Sequence, residues 1–149
     1  INNKIVFDLS KKILSRIESI GKNVSSSKIF ILGFAFKGEP ETSDTRFSTT
    51  IDLVNYLKPY CSNLYGYDAV ASENDLKSAD VNICSIEEGF NKADVVVIMN
   101  EHRDFRNLDI VSLSDKSRDP LIFVDCWNLY EKVKFASIDS IIYSSIGLY

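Results

Sequence analysis

The chain has 149 residues, 45% of them hydrophobic and 26% charged, with a formal net charge of −4 at pH 7. That length accommodates one ordinary domain with a substantial core, in the composition range of soluble globular proteins. The balance excludes a membrane-spanning helix, because no apolar run nears the roughly 20 residues required, and it argues against general nucleic-acid binding, which needs a basic face.

Taken in chain order, residues 3–20 are predicted as an amphipathic helix. Ile5, Leu9, Ile13, Ile17 and Ile20 recur at three- and four-residue spacing, and Gly21 is a natural stop. The polar stretch at 21–27 reads as a short linker. The helix is therefore expected to be a lead-in, the end of a segment that lies upstream. An opening Ile in place of Met gives the same expectation of a piece of a longer protein, with a boundary between 1–27 and 28–149.

From Lys28 onward strands and helices alternate. Strands are predicted at 29–33, 63–67, 81–84, 93–99, 121–125 and 141–143, with helices at 47–57 and 86–91. The 93–99 run is continuously apolar after Asp94, which marks a strand buried on both faces. Such alternation predicts an α/β fold, a Rossmann-like doubly wound parallel sheet in three αβα layers with an N-terminal lead-in helix.

The stretch after the first strand carries the most chemistry. Gly33-Phe34-Ala35-Phe36-Lys37-Gly38 leads to Thr42-Ser43-Asp44-Thr45-Arg46-Phe47-Ser48. It sits at the sheet edge where open α/β folds bind ligands. The dinucleotide fingerprint GxGxxG is absent, because Phe34, Ala35 and Phe36 place side chains where a backbone would have to approach a pyrophosphate. Lys37 can act as a point charge on a phosphate, and Arg46 can grip one with its planar fork near a helix start. Asp44 can orient Arg46 or cap that helix. The alternative is a solvated charged loop with an Asp cap and a local salt bridge, and these residues alone leave both readings open.

Elsewhere the bland readings are favoured. Asp68 reads as a turn-former and not a ribose ligand, and His102 as an exposed loop histidine without a nucleophile partner. Trp127 can stack on a base or sit in a core or an interface. Cys61, Cys84 and Cys126 form no CxxC pair, so no metal site is expected and the thiols read as reduced and mostly buried, as in a cytoplasmic protein.

These motifs resemble the C-terminal domain of the UDP-glucose/GDP-mannose dehydrogenase family. The resemblance rests on Gly33-Phe34-Ala35-Phe36-Lys37 and Thr42-Ser43-Asp44-Thr45-Arg46-Phe47-Ser48. Tyr67-Asp68, the 93–99 strand leading to Glu101-His102-Arg103-Asp104-Phe105, and Asp125 with Asn128 add to it. It implies enzymes that oxidise the C6 alcohol of a nucleotide sugar to a carboxylate with NAD and a cysteine thioester. It also implies a division of labour, with NAD on a separate N-terminal domain and the nucleotide end of a UDP-sugar on this one. Carried over, Phe36 and Lys37 would contact the nucleotide sugar, Arg46 would reach toward NAD, and Gly33 and Asp44 would support the loop. Trp127 stands where many members have Arg, and it would offer stacking in place of a charged contact. The family's thiol lies upstream of residue 29, so no catalytic residue is expected here and the chain alone should be inactive. A homodimer through the lead-in helix is the expected assembly; a non-catalytic nucleotide-sugar-binding module with the same fold is the alternative.

Overall fold

A computed structural model describes residues 3–34 and 49–146 of the chain. Helix α1 (Asn3–Ser19) turns Val6, Leu9, Ile13 and Ile17 inward, all at most 2% exposed. Ile5, assigned to the buried stripe from spacing alone, is instead 39% exposed, and Val6 takes the inner position. Both sets fit a helical period, and packing against the sheet selects one. The helix ends as Gly21 adopts φ +79°. The Gly21 amide donates to Glu18 and the Lys22 amide to Ile17, the paired bonds of a Schellman stop.

The remaining elements are β1 (Ile29–Leu32), α2 (Thr49–Leu57), β2 (Leu64–Tyr67), α3 (Glu73–Lys77), β3 (Asn82–Ile83), α4 (Ile86–Phe90), β4 (Val95–Ile98), α5 (Arg103–Arg106), α6 (Ile110–Leu113), β5 (Leu121–Asp125) and β6 (Ile141–Ser145). The six strands form one sheet in the order β3-β2-β1-β4-β5-β6, and every neighbouring pair is parallel. This is the doubly wound Rossmann arrangement, with its switch point between β1 and β4. The short helices α3, α5 and α6 have no counterpart in the sequence reading.

Alternation along the central strands splits the core in two. Ile29, Ile31, Val95, Val97, Ile122 and Val124 face one side, under α1, α2 and α3. Phe30, Leu32, Val96, Ile98, Leu121 and Phe123 face the other, with Phe90 of α4, Phe105 of α5 and Ile110 of α6. Parallel strands buried on both faces thus carry apolar residues at every position. Lys22 fastens the end of α1 to the amino edge of the sheet. Its ammonium lies 2.9 Å from Asp94 Oδ1 and 2.9 Å from the Pro120 carbonyl, and Asp94 Oδ2 accepts from the Lys28 amide. Cys61 and Cys126 are buried and Cys84 is half-buried, all three as free thiols. Burial pushes the Cys84 thiol up to about 11, which Lys28 only partly offsets, and raises Cys61 and Cys126 as well.

Candidate functional site

The carboxyl ends of β1, β2 and β4 meet at the switch point, where backbone pairing continues past the strands. The Gly33 amide donates to Tyr67 and the Met99 amide to Leu32. Gly33 has φ +103°, and a Cβ there would lie 2.6 Å from Asn100 Cγ, so only glycine passes the Asn100 side chain. Phe34 is fully buried, with its ring packed over β2; a Cβ on Gly66 would come within 2.7 Å of that ring. Asn100 and Phe34 thus fill the floor of the crevice in which a dinucleotide fold would admit a pyrophosphate. This edge does not fit NAD by the usual glycine approach.

Asp68, at the end of β2, is 8% exposed and turned into this floor. Its Oδ1 accepts from the Val70 and Ala71 amides, each at 2.7 Å. Its Oδ2 accepts from the Phe34 amide and, at 3.4 Å, from Asn100 Nδ2. The turn-forming reading therefore holds in part: one oxygen builds the turn and the other reaches across the sheet. Asn100 Oδ1 in turn accepts from the His102 amide at 3.1 Å. Thr50, buried at the start of α2, donates its hydroxyl to the Gly33 carbonyl at 2.6 Å. Neither Asn100 nor Thr50 was singled out from sequence; the one available signal for Asn100 was its position directly after the 93–99 run.

His102 corrects the expectation of an exposed histidine. It is 3% exposed, and its Nδ1 accepts from the Asp104 amide at 3.0 Å as the N-cap of α5. An accepting Nδ1 places the ring proton of the neutral form on Nε2. Its ring packs 5.9 Å from that of Phe105, which draws it under the helix.

One strand further along, Asp125 is wholly buried and organises the turn after β5. Oδ1 accepts from the Trp127 amide at 3.2 Å, and Oδ2 accepts at 2.9 Å from both the Tyr130 amide and the Tyr143 hydroxyl. Asn128 takes φ +54° within that turn. Trp127 is half-buried, and its Nε1 donates to the Met99 carbonyl at 3.0 Å. The indole thus bridges the ends of β4 and β5 beside Asn100. The Tyr130 hydroxyl donates to the Phe105 carbonyl and accepts from the Leu108 amide at 3.1 Å. Burial raises the Tyr130 phenol to about 12, and burial with an Asp125 bond does the same for Tyr143.

Of the residues singled out from sequence, Gly33 and Trp127 lie at this edge, on opposite sides of β4. Phe36, Lys37, Asp44 and Arg46 lie outside the described residues. Glu101 pairs with Arg106 at 3.5 Å and Asp104 lies 3.6 Å from His102 Nδ1, so the described rim carries both signs. Burial raises the Tyr67 phenol, and Asp104, Asp68 and Glu87 add to that.

The sequence profile of the UDP-glucose/GDP-mannose dehydrogenase family, UDP binding domain, matches residues 30–132. The chain belongs to this family. The matched span runs from β1 through the Trp127 turn, and so includes the strand ends that build the switch-point edge. A UDP-glucose 6-dehydrogenase of Rhizobium meliloti strain 1021 is 35% identical over 146 residues, covering 95% of the chain and 32% of that protein. UDP-glucose 6-dehydrogenase 1 of Arabidopsis thaliana is 29% identical, over 86% of the chain and 31% of its own length. The chain thus spans about a third of the curated relatives it matches. In fold, the UDP-D-ManNAc dehydrogenase of Pyrococcus horikoshii superposes with a TM-score of 0.77 at 23% identity, over 95% of the chain and 30% of that structure. Among the described residues no helix is long and apolar enough to cross a membrane.

Proposed function

We propose that this chain is the nucleotide-binding portion of an NAD-dependent UDP-sugar 6-dehydrogenase, which converts the C6 alcohol of the sugar to a carboxylate. The observation that carries the reading is the family match from β1 through the Trp127 turn, coincident with the switch-point edge. Phe36 and Lys37, which follow β1 in sequence, hold the nucleotide sugar, Lys37 by charge on a phosphate. Gly33 and Asp44 support this loop. Trp127, fixed at its Nε1 by Met99, offers a face on which the uracil stacks. Glu101 is already paired with Arg106, and Lys37 brings the cation that a diphosphate calls for.

NAD and the reacting thiol belong to a separate N-terminal domain in this reading, and Arg46 is the residue of this chain assigned to that cofactor. The filled floor at Gly33 and Asn100 supports this placement. The unit 28–149 is then the substrate domain and 1–27 the end of a connecting helix. A second copy pairs across α1, where Ile5 and Phe7 are each 39% exposed. The whole assembly works in the cytoplasm. Binding energy at the nucleotide would orient a distant sugar carbon, so this portion acts on rate through position.

Calorimetric titration of the chain with UDP, GDP and NAD tests the reading. It predicts saturable UDP binding weakened about tenfold or more in Lys37→Ala, a loss of the size expected for a charged contact, and no comparable binding of NAD. Equal affinity for all three ligands, or none for UDP, contradicts it. UDP-sugar-dependent NAD reduction by the full-length protein separates the enzyme from a non-catalytic module of the same fold.

A further inference from the structure

Asp68 stands where dinucleotide-binding folds keep an acid for ribose hydroxyls, yet its carboxylate faces inward. One oxygen holds the Val70 and Ala71 amides of its own turn. The other holds the Phe34 amide from β1 and the Asn100 amide group from β4. Three neighbouring strand ends are thereby tied through one buried carboxylate. Gly33, passing with φ +103° against Asn100, leaves the tie no slack, and the Thr50 hydroxyl on the Gly33 carbonyl fixes α2 to the same point. Phe34, held by Asp68, and Thr50, held by the Gly33 carbonyl, stand on either side of the sequence segment that carries Phe36, Lys37 and Arg46.

We propose that Asp68 and Asn100 are positioning residues for the nucleotide site, an inward-facing pair that fixes the exit of the chain from β1. The assignment rests on the functional reading above. The acid at the end of β2 accepts from the protein's own amides here, and the nucleotide is held by residues that follow the exit it fixes. A carboxylate suits this place because each oxygen accepts two donors, which an amide cannot match.

The two arms can be separated by substitution. Asp68→Asn keeps an oxygen for the Val70 and Ala71 amides but turns an NH2 toward the Phe34 amide and Asn100, donor against donor. Asn100→Ala removes the β4 arm and leaves Asp68 charged. Both variants and the unaltered chain are titrated with UDP, and amide exchange is followed at Phe34. Ile122→Ala, a core truncation away from the site, serves as a control of comparable or greater loss of stability. The proposal expects UDP affinity about tenfold or more weaker in Asp68→Asn, a smaller loss in Asn100→Ala, faster exchange at Phe34 in both, and unchanged affinity in the control. Wild-type affinity in both variants overturns the assignment alone. A parallel loss in the control overturns it too, since stability would then account for the effect. Failure of the unaltered chain to bind UDP overturns the functional reading and this assignment with it.

Discussion

Tyr130 shows how single groups are tuned around the β5 turn. Its hydroxyl serves the Phe105 carbonyl and the Leu108 amide at once. Tyr130→Phe strands both and is expected to cost about 1–3 kcal/mol, measured by denaturant unfolding. The same group predicts an alkaline limit. Its folded value of about 12 lies above the ordinary 10, so the native state keeps a proton that the unfolded chain sheds. This contribution is fully present below pH 10 and is lost as pH rises toward 12, and Tyr130→Phe should flatten that decline. Tyr143 adds in the same direction. Trp127→Ala should weaken UDP binding about fivefold or more, the loss of one base–aromatic stack, while Trp127→Phe should retain most of the affinity. His102 shows where residue-level reading fails. A lone histidine in a polar run gives no sign that Phe105 and the α5 amides will draw it inside.

At the scale of elements, the strands were legible because burial on both faces leaves uninterrupted apolar runs, as in 93–99 and 121–125. Helices α3, α5 and α6 were not: four or five residues cannot display a 3.6-residue period, and the equally short α4, expected at 86–91, is marked in sequence by its Ser85–Glu88 capping box. Their signals are local caps, Asp109 for α6 and His102 for α5, and histidine is not among the favoured N-cap residues. The register of α1 was ambiguous for another reason: Ile5 and Val6 both fit the stripe, and the choice belongs to the sheet. Two substitutions test how these elements seat. Gly89→Ala in α4 would place a Cβ 2.2 Å from Phe30 Cζ. It should destabilise the fold by about 1–3 kcal/mol despite the better helix propensity of alanine. Asp94→Ala leaves the Lys22 ammonium with the Pro120 carbonyl but no counter-charge and strands the Lys28 amide, and about 3 kcal/mol should be lost in thermal or denaturant unfolding.

For the molecule as a whole, the doubly wound order sets what the edge can do. Strands β1, β2 and β4 end together, and Asn100 against Gly33 and Phe34 over Gly66 fill the space between those ends with protein. The missing second glycine was readable in sequence and pointed away from a dinucleotide. The side chains that take up the space were not, because Asn100 and Asp68 reach it only when distant strands are brought side by side. In the proposed reading, a fold shared with dinucleotide binders is thereby turned to one end of a nucleotide sugar. The most direct test is a UDP titration of the chain followed by amide NMR. The account predicts saturable shifts at the Phe34 and Asn100 amides and at the Trp127 indole, with the Lys22 and Asp94 amides at the opposite edge unmoved. Shifts confined to that opposite edge, or none at saturating UDP, would contradict it.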